Sequence, residues 1–296
     1  MPRSFLPVRT ILQKGRRMIH RPTLSEVLRC APPAGVSVKM QGPDVKPFDP
    51  STLPGLTLWL KAAVGTTVDG GGHVLTWADQ SGLHHDFSLV GGDVGATIGV
   101  DANGNTALLF SEAPAIPCRY IITGLPRTWD QLVTQNAWCV AWVCEYTGTH
   151  TADPAFGNRL PVVIGTKDSP PNYQSFGAGL DPADATKARM MGYEFTGATD
   201  QTVNGPDAPV PGVHCAVLNY TGGILSLSVD GGAFINQAAA AGNAPAGFTV
   251  QLSSNDQTSF SQYGGYVEEI LTMDQAQSAG NLAGLSAYLK TKYGIP

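Results

Sequence analysis

No run in this sequence approaches the roughly 18 consecutive apolar residues that a membrane-crossing helix needs, so no membrane span is expected. The basic start lacks the continuous apolar segment of a secretory signal, although an arginine-rich, acid-poor start is shared with transit peptides. Charge is scarce at 14% of residues, which implies that much of the surface faces other protein. Cysteine is sparse too. Cys30, Cys118, Cys139, Cys144 and Cys215 are odd in number and irregular in spacing, which argues against a disulfide framework. Cys139 and Cys144 lie on one apparent strand at positions that point to opposite faces, so they share no metal. Buried free thiols, in a chain assembled in a reducing cytoplasm, are the expectation.

Catalytic patterns are missing as well. A glycosidase on a β-sandwich sets Glu-x-Asp-x-x-Glu along one strand face, with carboxylates about 5 Å apart for retaining chemistry. The chain has no such triplet, and Glu268 and Glu269, being adjacent, face opposite ways in a regular strand. Gly-x-Ser-x-Gly is absent, so Ser81-Gly82 is no nucleophile elbow. His84-His85-Asp86 looks metal-like, but adjacent histidines rarely chelate together and no Cys or His partner has suitable spacing. Asp101, Asn103 and Asn105 alternate side-chain oxygens as a calcium loop does, yet an Asn-Gly turn accounts for the same residues. Neither catalysis nor a metal nor a cofactor is expected.

What the chain does have is turns and strands. With 35 Gly, 22 Pro and 43% hydrophobic residues, it reads as an all-β sandwich or barrel. The organising stretch is Pro54–Gly82. Leu56, Leu58 and Leu60 alternate with Thr57, Trp59 and Lys61, the period of a strand with two distinct faces. A glycine-rich turn at Asp69–Gly72 predicts a hairpin with a second strand over His73–Ala78. Further strands are expected at Phe87–Val90, Thr97–Val100, Thr106–Phe110 and Tyr120–Ile122, with one or two helical turns in Thr128–Gln135. Trp138–Tyr146 is apolar on both faces, so it belongs at the sandwich centre. After Leu160–Gly165, residues 166–212 read as loops around one strand, Arg189–Phe195. Val213–Tyr220, Ile224–Val229, Phe248–Leu252 and Gly265–Met273 complete the set, with Val229–Phe234 forming an Asp-Gly hairpin. A last helix, capped by Asp274, carries Leu282, Leu285 and Leu289 and ends at Gly294.

Both ends of this region resemble one family. "LTLWLKA" with "VLTWADQSG", then "GYVEEI" and "YLKTKYG", resemble the opening and close of laminin-G-like, concanavalin A-like jelly-roll domains of bacterial surface proteins and tailed-phage virion proteins. The resemblance implies an all-β, two-sheet jelly-roll sandwich with a short C-terminal helix over residues 51–296. It also implies that the "NGNTALLF" segment is a core strand and that one of Glu268 and Glu269 is structural. The same sandwich hosts lectins, hydrolases, adhesins and inert scaffolds.

Residues 1–50 read differently, as a basic arm and proline-rich linker. A capping box, Thr23 with Glu26, predicts a short helix over Leu24–Cys30. Residues 1–46 carry a net charge of +7 and the remainder −12, the pattern of an interaction tail on an acidic body. Arg9, Lys14, Arg16, Arg17 and Arg21 alternate with apolar anchors such as Phe5 and Ile11, which suits docking on another protein. Interleaved aromatics for nucleic acid are lacking. On the body, Tyr173, Phe176, Tyr193 and Tyr263 stand beside amides and are candidates to cover a sugar face, core packing being the alternative. The combined expectation is a non-enzymatic structural protein of a virion. Its arm would anchor it to capsid or tail proteins, as a homo-oligomer, with the sandwich turned towards host-surface glycan. A cell-surface or secreted carbohydrate-binding module and a glycoside hydrolase are the alternatives.

Overall fold

The computed structural model describes residues 47–62, 64–112, 117–123, 128–133, 136–150, 161–166, 172–181, 183–196, 200–239, 249–253 and 262–296. Of residues 166, 172–175, 193–196 and 200 it describes the backbone alone. The chain divides after Lys46, and the unit from Pro47 to Pro296 is the one described. The expected arm contacts Phe5, Arg9, Ile11, Lys14, Arg16, Arg17 and Arg21, and the helix over Leu24–Cys30, lie outside the described residues.

The unit is a two-sheet antiparallel jelly-roll sandwich. Its strands are β1 (Leu56–Lys61), β2 (Thr66–Val68), β3 (Val74–Trp77), β4 (Phe87–Leu89), β5 (Thr97–Val100), β6 (Thr106–Phe110), β7 (Tyr120–Ile122), β8 (Ala137–Tyr146) and β9 (Val162–Thr166), followed by β10 (Asn172–Asp181), β11 (Asp184–Thr196), β12 (Asp200–Pro209), β13 (Val213–Thr221), β14 (Ile224–Val229), β15 (Ile235–Ala238), β16 (Val250–Leu252) and β17 (Gly265–Met273). One helix, α1 (Ala279–Tyr293), follows. One sheet runs β15-β14-β13-β8-β17-β6-β5, with β1 added on β17; the other runs β12-β11-β10-β9-β16-β7-β4-β3-β2.

The glycine-rich turn at Asp69–Gly72 joins β2 to β3, not β1 to β3. β1 instead crosses to the other sheet and pairs with β17, Leu60 opposite Ile270. The period-two pattern of β1 serves two different layers. Leu58 and Leu60 enter the core between the sheets, while Trp59 packs beneath α1. β8 behaves the same way: Trp138, Val140 and Trp142 face the inter-sheet core, and Cys139, Ala141 and Val143 face the helix. Leu282, Leu285 and Leu289 cover that second layer. The N-cap of α1 is Ser278, whose side chain accepts from Asn281 N–H at 3.2 Å, rather than Asp274. Gly294 closes the helix at φ 64°, a left-handed conformation that glycine adopts freely.

Residues 166–212 depart most from the sequence reading. They hold β10, β11 and β12, long strands that extend one sheet to its edge. Ladder hydrogen bonds organise this region although its sequence is rich in glycine and proline. The short helical segment at Trp129–Gln131 is a 3-10 turn that buries Trp129, Leu132 and Val133.

Candidate functional site

Two of the four aromatic ligand candidates are core residues. Phe176, 1% exposed, has its ring 5.3 Å from Trp138 and 5.6 Å from Trp129. Tyr263 is fully buried, 5.6 Å from the Tyr146 ring. Neither can cover a sugar, because β8 supplies a wall of aromatics that removes more apolar area from water than any exposed position does. Tyr173 and Tyr193 stand on strands rather than loops, Tyr173 opposite Phe195 and Tyr193 opposite Ser175. Their side chains lie outside the described ones.

The motif residues converge instead on the joint between β1, β17 and α1. Asp79 Oδ1 accepts from the backbone N–H of Trp59 and Ser81, each at 2.8 Å, and so ties the turn after β3 to β1. His85 Nδ1 contacts Thr57 O at 2.7 Å, and Asp86 accepts from Asp79 N–H at 2.8 Å, so both belong to this turn. Asp101 accepts from Asn103 N–H at 2.9 Å and Asn105 N–H at 2.8 Å. The amides of Asn103 and Asn105 then donate to Tyr293 O at 2.9 and 3.2 Å, satisfying a carbonyl at the end of α1. The oxygens that suggested calcium thus hold a turn against a helix end. Among the described residues, no group of three or more His, Cys, Asp or Glu side chains is placed to hold a metal ion.

Glu269 is the centre of this joint. It is fully buried, and its carboxylate accepts from Trp59 Nε1, Tyr288 OH at 3.1 Å, Lys292 Nζ at 2.8 Å and Tyr293 OH at 2.8 Å. Its neighbour Glu268 occupies the register shift between Val267 and Glu269, where the edge of β17 changes partner from β6 to β1. Glu268 is fully buried, and neither carboxyl oxygen has a donor. Desolvation, then the nearby Asp101 carboxylate, pushes its pKa well above the ordinary carboxylate range.

Above this joint lies a pocket of about 520 Å³ lined by Lys61, Val64, Asn105, Thr106, Tyr288 and Lys292 among others. Its size falls in the range of about 300–1,000 Å³ common to small-molecule sites. Two tyrosines, Tyr288 and Tyr293, stand in its lining with an asparagine, a threonine and two lysines. The Lys61 ammonium stands 3.5 Å over the Trp59 ring. No single stretch of sequence marks this site, because its residues come from β1, the Asp101–Asn105 turn and α1 among others. Only the pairing of β1 with β17 brings them together.

A smaller pocket of about 250 Å³ is bordered by Glu112 and Gly148. Burial alone would raise the Glu112 pKa, but hydrogen bonds from Tyr146 and Thr149 outweigh it and hold the carboxylate below its ordinary value. A third hollow, of about 380 Å³ between α1 and the β14–β15 hairpin, is lined mostly by small and apolar side chains.

No family model matches the sequence, and no curated protein matches it. The fold has solved counterparts. Domain 4 of AbnA, a GH43 extracellular arabinanase from Geobacillus stearothermophilus solved in complex with arabinotriose, matches with a TM-score of 0.54 at 10% identity, over 79% of this chain and 99% of that one. The binding domain of botulinum neurotoxin DC, solved in complex with rat synaptotagmin II, matches with a TM-score of 0.52 at 9% identity, over 79% of this chain. This chain covers 52% of the neurotoxin domain's length. At these identities the likeness is one of fold.

Proposed function

We propose that the sandwich is a non-catalytic carbohydrate-binding domain whose ligand lies in the pocket above the β1–β17–α1 joint. The observation that carries this reading is the pocket's lining, which joins tyrosines to Asn105, Thr106 and two lysines. A sugar needs both a flat apolar face and directed polar groups. The arabinotriose-bound arabinanase domain, which shares the fold, supports it. The non-catalytic part rests on the state of the carboxylates. Glu269 is spoken for by its donors, and Glu268 is sealed from solvent. The test is a glycan array with purified protein, alongside an assay for new reducing ends. Binding without cleavage is expected. Reducing ends released by the protein, and abolished by replacing one carboxylate, would establish the hydrolase alternative.

A second reading, a virion structural protein anchored by its arm, is favoured by the charge division between residues 1–46, at +7, and the acidic remainder. In that reading the arm docks on capsid or tail proteins, and the sandwich offers its glycan site outward. Co-purification with a particle supports it; a protein recovered only free argues for the plain binding module.

A further inference from the structure

We infer that the pocket selects a sugar bearing an oxyanion, a carboxylate or a sulfate, and that Lys61 is the residue that pairs with it. The inference rests on the carbohydrate-binding reading and narrows its ligand class.

Two lysines, Lys61 and Lys292, line the pocket. Lys292 is committed, donating to Glu269 at 2.8 Å and to Tyr288 OH at 3.1 Å. Glu269 is saturated, since Trp59, Tyr288 and Tyr293 occupy its remaining sites. Lys61 has no hydrogen bond or ion pair to an oxygen among the described residues; its ammonium rests on the Trp59 ring. Asp49, the other acid whose charge reaches Lys61, accepts the N–H of Ser51 at 3.0 Å and stands exposed. Burial first, and then repulsion from Lys292, holds the Lys61 pKa below its ordinary value. An oxyanion entering the pocket would meet Lys61 without breaking any existing bond. It would also relieve the repulsion between the two cations.

The remaining lining suits a sugar ring rather than a free ion. Val64, 42% exposed, and the Tyr288 ring give apolar surface. Asn105 and Thr106 stand at the same rim. A bare anion would use only the lysines, and its binding would not depend on Tyr288.

The experiment is isothermal titration of the full chain with trigalacturonate, a sulfated galactose disaccharide and neutral galactotriose. Tighter binding of an acidic sugar than of the neutral one is expected. Lys61→Met should weaken the acidic ligand about tenfold or more, the scale of a lost hydrogen bond to a charged group, and Lys61→Arg should retain it. Neutral galactotriose should change little in either variant, and unchanged melting temperatures would show that the fold is intact. The carboxylated and sulfated arms separate the two sources of the oxyanion. Equal binding of neutral and acidic sugars, or acidic binding indifferent to Lys61→Met, overturns the inference and leaves the carbohydrate reading standing. Binding of no saccharide of either kind overturns that reading and the inference with it.

Discussion

Burial holds the Glu268 carboxyl well above the ordinary carboxylate range, and the charges of Asp101 and Glu145 push in the same direction. The folded chain therefore binds this proton more tightly than the unfolded chain, which releases it above about pH 4.3. Stability from that proton is fully present below the unfolded value and is lost as pH rises through the raised folded value. Melting temperature should accordingly fall as pH rises from about 4.3 towards the raised folded value. Glu268→Gln, which is neutral at every pH, should flatten this decline; a variant with the same slope as the parent would show that another group sets it. Burial acts on the cysteines in the same direction. Cys118 and Cys215 are buried, and desolvation pushes their thiols up to about 12, so they are packing groups rather than nucleophiles.

Among the elements, β8 has most of the core hung upon it. Trp142 is fully buried and stands 6.3 Å from the Phe176 ring, across the gap between the sheets. Trp142→Ala should cost about 3–5 kcal/mol through the cavity it leaves, read as a drop in the denaturant midpoint. An unchanged midpoint would be incompatible with this packing. β8 was legible in the sequence because a strand sandwiched between two apolar layers needs no alternation, and its ten residues show none. Arg189–Phe195, the expected strand, lies within β11, but β10, β12 and the first part of β11 were not legible, for a physical reason. β12 is an edge strand, where Pro206 and Pro209 can lack an N–H without leaving a central ladder bond unmade. Glycines inside β10 and β11 also answer to close packing, since a Cβ on Gly177 would stand 1.9 Å from Pro161 O. Phe176 and Tyr263 misled in the opposite sense. An aromatic beside amides looks like a sugar platform until the long-range pairing buries it. The pocket was invisible in the sequence because Lys61 and Lys292 are brought together by the fold.

At the scale of the whole molecule, the two sheets cover each other, and α1 covers the outer face of the sheet that holds β8 and β17; residues 1–46 form a separate unit. Deleting those residues should leave a soluble chain with the parent's melting temperature and an unaltered sugar titration. A truncated chain that aggregates or melts early would show that the basic segment contributes to the fold. The pairing of β1 with β17 also has a consequence for how the molecule comes into being. Thr57 and Thr272, whose hydroxyls meet at 2.8 Å, are 215 residues apart. At a synthesis rate of 5–20 residues per second, β1 leaves the ribosome about 10–40 s before its partner exists. For that interval Leu58, Leu60 and Trp59 have no sheet to join. The nascent chain must stay unaggregated through this wait, and a transcript that stops short of Gly265 yields a product in which the first strand never finds its place.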